Sequence, residues 1–448
     1  MTLRRVSICY QENSQVYFEA IRDLAWPVWL DSGKPRQSRG RFDFISAAPS
    51  TQVDSDALGP NEFWIQLQQA LDLNKTTQDS DLPFCGGAIG YIGYDLGRFN
   101  QTQPKTIDAD FDIPDALMGI YDWVLIQDHD RQQSVLVAQA SVPEDVFSDL
   151  ISRFTNPIPI KTTGNFELKG VQPQISEQRH LQSVEKIKDY ILAGDCYQVN
   201  LAQRFDMNYQ GDCYAAYLAL REALPSQYSC YMETDNAVLL SLSPECFLSA
   251  DRFGHITTKP IKGTLPRGET PAQDQQLAKT LLTSEKDRAE NLMIVDLLRN
   301  DLSKICAPHS VQTQKLFELE SYANVHHLVS TITGQKLADV SATDLLKACF
   351  PGGSITGAPK KRAMEIIEEL EASRRSVYCG SIGYIGFDGA LDMNIAIRTL
   401  IADDNKLYCW GGGGIVADSS PAGEYEESLN KIGILIETLK RKFSRVEL

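Results

Sequence analysis

The sequence predicts an α+β chain with two similar sheets facing each other. Short apolar bursts bounded by polar turns mark strands through the first half, as at residues 122–126 and 134–140. Helical periods fill a few long stretches and do not alternate with strands as regular β-α-β units, which argues against a doubly wound parallel sheet. An internal echo adds the second sheet. Gly87-Ala-Ile-Gly-Tyr-Ile-Gly-Tyr-Asp95 matches Gly380-Ser-Ile-Gly-Tyr-Ile-Gly-Phe-Asp388 at seven of nine positions. Glycines alternating with Ile and Tyr suit strands against which another backbone packs closely.

Residues 156–171 mix Pro, Thr, Lys and Gly without helical period and read as a linker. They divide a sheet-rich region over 1–165 from a second domain over 174–448. Ser176 is a candidate N-cap for a helix whose stripe is Leu181, Val184, Ile187 and Ile191, with Gly194 as its stop. Further helices are expected over 286–302 and 425–443, with strands such as 237–242 and 391–400 between the helices.

With 448 residues the chain can bury a large core. Its 43% apolar and 23% charged residues are ordinary for a globular protein. A net charge of −16 speaks against nucleic acid or an anionic membrane as partner, since both need basic surface. Ten cysteines lie scattered with no C-x-x-C pair, which fits reduced, buried thiols better than a disulfide framework or a zinc site. The N-terminus has no apolar stretch of a secretory signal, and no apolar run approaches the roughly 20 residues of a membrane span. A cytoplasmic enzyme is the expectation.

Several residues could carry chemistry. Asp287 and Glu290 lie three apart on one helix, and Glu424 and Glu427 three apart on another, so each pair shares a face. If those faces meet, a bound Mg²⁺ would relieve the crowding of four carboxylates; spacing alone favours solvated surface acids. Arg398 stands in an apolar stretch where a guanidinium needs a carboxylate partner. Gly411-Gly-Gly-Gly414 offers backbone N–H groups to an anion without being a dinucleotide or P-loop pattern. Lys431, four residues after Glu427, is either its ion-pair partner or a carboxylate contact. Glu245 follows a strand and a proline among apolar neighbours, which favours a raised pKa and general-acid work. His326 and His327 are adjacent on a strand, so at most one faces a given site. Lys262, in Pro260-Ile-Lys-Gly-Thr264, is a lysine where a solvated one has no purpose; a desolvated amine is a competent nucleophile.

Taken jointly and in order, these stretches resemble the chorismate-utilising enzyme family over about 176–446. The stretches that carry the likeness include Gly194-Asp-Cys-Tyr-Gln-Val-Asn200, Ser243-Pro-Glu245, Pro260–Thr264, Phe350-Pro-Gly-Gly-Ser-Ile-Thr-Gly-Ala-Pro-Lys360, Arg398, Gly412–Ile415 and Glu424–Lys431. The resemblance implies two large facing sheets, rich in antiparallel pairs, with helices packed outside. It implies Mg²⁺ held by Glu290 and Glu427, with Asp287 and Glu424 behind them through water, binding the ring carboxylate of chorismate. Gly263, Thr264, Gly412, Gly413, Gly414 and Lys431 would help hold that substrate and His327 would line the site. Tyr378 and Arg398 would grip the enolpyruvyl carboxylate, and Glu245 would protonate the departing C4 hydroxyl.

Two positions point to a branch. Water-activating members resemble one another in a lysine where this chain has Gln198, which cannot act as that base. Anthranilate-forming members share the glutamine but carry alanine at the position of Lys262. Lysine there resembles the branch that makes 4-amino-4-deoxychorismate for para-aminobenzoate and folate. The implied route is a covalent Lys262 adduct at C2, displaced when ammonia enters at C4; the alternative is the anthranilate-forming branch. With no Gly-x-Cys-x-Gly element of its own, the chain would receive ammonia from a separate glutamine amidotransferase subunit, in a heterodimer. Anthranilate-forming relatives hold tryptophan in a pocket whose counterparts here are Ser32, Arg41, Phe42, Gln227, Tyr228 and Ser229.

Overall fold

A computed structural model of the chain describes residues 3–37, 40–74, 81–100, 107, 112–158 and 164–443. Among these, one sheet has 12 strands and the other 10. Pairing is antiparallel throughout, as expected for strands joined by short turns and helices rather than by β-α-β crossovers. Each sheet draws strands from either side of the 165–174 division. In the larger, Val28–Asp31 pairs with Tyr228–Glu233; in the smaller, Gly87–Ile92 pairs with Ser381–Gly386.

The sheets share an inner apolar core, to which Val28, Phe44 and Ile126 contribute from one and Ile89, Tyr91 and Leu117 from the other. Alternation along a strand sends the next residues outward. Trp29, Ile45 and Leu125 therefore join a second core, under the helices Cys213–Ala223 and Pro421–Phe443. Helices Pro60–Leu73 and Lys360–Leu370 add Phe63, Leu67, Ala363 and Ile367 to the inner core from outside. The expected two sheets with external helices are present.

Sequence and structure differ in three places. The two echo segments are neighbouring strands of one sheet, with Gly90 opposite Gly383, and not counterparts in facing sheets. A Cβ on either would fall 2.1 Å or 2.0 Å from a backbone carbonyl of the next strand, so the glycines do serve close backbone approach. The linker ends early, because Phe166–Pro173 pairs with Gln198–Gly211; residues 159–163 lie outside the described residues. The stretch 391–400 breaks into Leu391–Asn394 and Thr399–Asp403, which belong to different sheets. Arg398 thus sits in the connection, at φ 51°, and not within a strand.

That break is one of two adjacent crossings. The chain leaves the larger sheet after Val238–Ser243 and enters the smaller at Cys246–Ala250; it returns between Asn394 and Thr399. Ile395 N–H donates to the Glu245 carbonyl at 3.0 Å, and Leu242 N–H to that of Arg398 at 3.1 Å. The Ser243 hydroxyl donates to the Ile395 carbonyl at 2.6 Å.

The three helices foreseen are found as Glu177–Leu192, Glu285–Ser303 and Pro421–Phe443. Ser176 accepts from Arg179 N–H and Ser284 from Asp287 N–H, each satisfying an orphan donor of the first turn. All ten cysteines are free and eight are buried. Among the described residues no helix is long and apolar enough to cross a membrane.

Two buried ion pairs tie the turn at 350–356 to its surroundings. Lys360 Nζ donates to Asp301 at 2.6 Å and to the Cys349 and Pro351 carbonyls. Arg375 grips both Glu371 oxygens and donates to the Ile355 and Asn200 carbonyls at 2.8 and 2.6 Å. Removing one member strands the other in the core, which costs about 3–5 kcal/mol. Arg375→Met is therefore expected to lose that much stability in urea unfolding; an unchanged midpoint would show that the network contributes nothing.

Candidate active site

Lys262 lies on the edge strand Ile261–Pro266, whose pairing with Val325–Gln335 slips between Ile261 and Thr264. Gly263 occupies the slip at φ 83°, where a Cβ would collide with Asp287 and Leu281 at 2.9 Å. The bulge re-aims Lys262 off the sheet edge. Its Nζ donates to the Ser354 carbonyl at 3.1 Å. Burial lowers the pKa of the amine, against the pull of Glu290 and Glu245. A fraction of neutral amine at ordinary pH is what a nucleophile requires.

Glu245 comes to the same point from the first crossing. It is buried, and burial raises its carboxyl pKa, opposed by a hydrogen bond from the Ser354 side chain and by Lys262. A carboxyl whose pKa burial raises, beside an amine whose pKa burial lowers, is suited to act as acid and nucleophile.

The acidic helices converge from two sides. Asp287 touches the Gly263 position, and a Cβ on Gly413 would sit 3.0 Å from Glu424 and 3.2 Å from Glu427. Burial raises the pKa of Glu290 against Lys262 and Lys286, with Asp287 and Glu427 adding repulsion. Burial would also raise Glu427, but Lys431 at 2.7 Å holds it low. Glu424 is raised by burial; one oxygen accepts from Ser419 at 2.6 Å and the other is buried without a partner. Among the described residues no three His, Cys, Asp or Glu side chains are grouped as a ready ligand set. An all-oxygen pair with an orphaned oxygen behind it still suits Mg²⁺, which keeps several waters and is commonly held by one or two carboxylates plus substrate.

Lys431 is the ion-pair partner of Glu427, and it also donates to the Gly412 carbonyl at 2.8 Å. The glycine run is not a free loop. It continues the strand Lys406–Ile415, with Gly413 opposite Leu201 and Gly414 opposite Asn200. The partner on its other side pairs only as far as Leu400–Cys409, short of the run, and the acidic helix packs over the face of the run at Gly411 and Gly413.

Arg398, from the second crossing, lines a narrow pocket with His327, Tyr322, Pro244 and Gln227. Its guanidinium has no ion pair among the described residues, and burial alone lowers its pKa. The carboxylate partner that the sequence called for is therefore not supplied by these residues. His327 Nδ1 lies 2.8 Å from the Thr264 hydroxyl, whereas His326 turns to the other side and meets Asp274 at 3.0 Å. Tyr378 is buried with its ring stacked on Trp410.

The tryptophan-pocket residues divide. Phe42, Gln227, Tyr228 and Ser229 line a small pocket between the sheets, together with Asp392. Burial lifts the Asp392 carboxyl to about 7, and its Oδ1 lacks a partner. Ser32 instead donates to Asp43 and Arg41 is paired with Asp128, so neither lines the pocket. Ser354 and Lys286 went unassigned in the sequence. Ser354 lies inside the quoted Phe350–Lys360 motif, but only its position against Lys262 and Glu245 marks it.

Burial, with help from Arg398, depresses His327 from 6.5 to about 3, so the folded protein holds it neutral. Its contribution to stability is present above pH 6.5 and is lost as the unfolded chain alone takes up the proton below that. His327→Gln should flatten the acid-side fall in stability by up to about 1.4 kcal/mol per pH unit. Identical slopes for the two proteins between those pH values would rule the depressed histidine out.

The family described as chorismate binding enzyme matches residues 26–437. The aminodeoxychorismate synthase component 1 of Klebsiella aerogenes is 43% identical over 444 residues, covering 95% of this chain and 96% of that protein. The anthranilate synthase component 1 of Synechocystis is 35% identical over 486 residues, covering 95% and 96%. The crystal structure of anthranilate synthase component I from Streptococcus pneumoniae superposes with a TM-score of 0.79 at 31% identity, covering 89% of this chain and 92% of that one. With that span of matched sequence around the site just described, the chain belongs to the family of chorismate-binding enzymes.

Proposed function

We propose that the protein converts chorismate and ammonia to 4-amino-4-deoxychorismate, with the Lys262 amine as covalent nucleophile. The observation that carries this reading is the pairing of that amine, its pKa lowered by burial, with the carboxyl of Glu245, raised by burial, each acting on the other's charge. Relatives called aminodeoxychorismate synthase component 1 match at 39–43% identity, against 35–38% for those called anthranilate synthase component 1.

The Lys262 nitrogen attacks C2 of the ring, the ring π electrons shift, and the C4–O bond breaks. Glu245 gives its proton to the departing oxygen, which leaves as water. The adduct stays a secondary ammonium. Ammonia then bonds to C4, the π electrons return, and the C2–N bond breaks to release neutral lysine. Solvent reprotonates Glu245. The enolpyruvyl group is kept, its carboxylate held by unpaired Arg398 beside His327 and Tyr378, and Gly263, Thr264 and the glycine run shape the ring site.

Glu290 and Glu427 would hold Mg²⁺, with Asp287 and Glu424 behind them, and the bound ion would supply positive charge for the ring carboxylate. A separate glutamine amidotransferase subunit would deliver ammonia, as the words component 1 in the relatives' names suggest, in a cytoplasmic heterodimer. The pocket between the sheets is the candidate site for tryptophan. Titration calorimetry with tryptophan tests it, and an absence of binding heat removes that assignment.

The central test gives the protein chorismate, an ammonium salt and Mg²⁺. 4-Amino-4-deoxychorismate is the expected product; fluorescent anthranilate in its place refutes the reading. Lys262→Ala should still bind chorismate while turnover falls by about 10²-fold or more, the lower bound for losing a group that acts in the chemical step. Unchanged kcat would leave Lys262 no covalent role.

A further inference from the structure

We infer that two buried polar pins, Asn291 with Ser330 and Ser428 with Gln203, fix the rotation of the two acidic helices and thereby the placement of Glu290 and Glu427 for a divalent cation. This rests on the Mg²⁺ assignment proposed above. The helices carry their acids in one layout. Asp287-Arg-Ala-Glu290-Asn291 and Glu424-Tyr-Glu-Glu427-Ser428 each set a polar residue one step after the second acid and four after the first. Steps of three and four share a helix face, so each pin stands beside its carboxylates. Asn291 and Ser428 are both fully buried.

Each pin is seated in a different sheet. Asn291 Nδ2 donates to the Leu328 carbonyl at 3.3 Å, and its Oδ1 accepts from the Ser330 hydroxyl at 2.5 Å. Ser330 is itself held twice. Its hydroxyl accepts from Phe317 N–H at 3.2 Å, where the strand pairing slips between Lys315 and Glu318. Its own N–H donates to the Pro260 carbonyl at 3.3 Å, two residues before Lys262. The helix Glu285–Ser303 is thus referred to the start of the strand that carries the amine. On the other side, Gln203 Nε2 donates to the Ser428 hydroxyl and that hydroxyl donates to the Tyr425 carbonyl, both at 2.7 Å. Gln203 lies opposite Gly411, and a Cβ on Gly411 would fall 2.2 Å from the Ser428 carbonyl oxygen. The helix Pro421–Phe443 rests directly on the bare strand there, which lets the neighbouring glutamine reach it.

Apolar residues would fill these positions without desolvating an amide or a hydroxyl. What the hydrogen bonds add is direction. A helix can roll on an apolar seat. With side-chain tips about 5–6 Å from the axis, a roll of about 10° moves a carboxylate by about 1 Å. Mg²⁺ demands near-octahedral geometry at about 2.0–2.1 Å, so a displacement of that size costs affinity.

The test counts free Mn²⁺, which takes the same oxygen ligands as Mg²⁺, by electron paramagnetic resonance in titrations of wild type and variants. Wild type should bind an ion, and Glu290→Gln should abolish that binding. Ser330→Ala, and Gln203→Met combined with Ser428→Ala, should each weaken it by about 10-fold, the lower end for loss of a partner behind the ligands. Ser46, a buried serine whose hydroxyl donates to the Trp123 carbonyl at 2.6 Å, is the control. Ser46→Ala should lower the urea midpoint and keep wild-type affinity. Wild-type affinity in either pin variant overturns the proposal, as does an equal loss in Ser46→Ala. Because the pins lie in separate sheets, one folded pin variant is enough to decide. Should wild type take up no Mn²⁺, or take it up regardless of Glu290, the metal assignment fails first and the pins fail with it.

Discussion

Two neighbouring crossings between the sheets, tied to each other by backbone hydrogen bonds, are the constraint from which the site follows. Glu245 and Arg398 sit in those crossings, where the chain is neither strand nor free loop and both side chains can enter the space between the sheets. The Ile395–Glu245 and Leu242–Arg398 bonds make the crossings one unit, so the two residues keep a set distance. A carboxyl and a guanidinium held apart in this way do not form the ion pair that would quench both.

Electrostatics then assign the roles. Burial pushes a carboxyl toward its neutral form and an amine toward its own, and both effects act where Glu245 and Lys262 meet. The acidic helices moderate this: their carboxylates pull the Lys262 pKa back up, while Lys431 and Lys286 keep their own repulsion in check. Crowded like charges interleaved with lysines form an arrangement that a divalent ion and an anionic substrate can enter by displacing existing partners.

Much of this was legible in residue order. The oddly placed Lys262 and the uncompensated Arg398 each break a local rule, and the structure brings Lys262 within electrostatic reach of Glu290 and Glu427 from the two acidic helix faces. The sequence was misleading where periodicity runs through a break. Residues 391–400 are apolar enough to read as one strand, yet they serve two sheets in turn. The echo was read as two facing sheets because identical strands can equally lie side by side, and nothing in a linear pattern distinguishes those arrangements.

By itself, then, the amino-acid order determined the α+β class, the helix faces and the chemical types available for catalysis. These depend on contacts three or four residues apart and on motifs read in series. Only tertiary structure decided which sheet each strand joins, that Glu245 and Arg398 occupy adjacent crossings, and that the Lys262 amine reaches the carbonyl of Ser354, distant in the chain. The reason is physical: those relations rest on hydrogen bonds between segments about 90 to 150 residues apart, and no local propensity encodes such a distance.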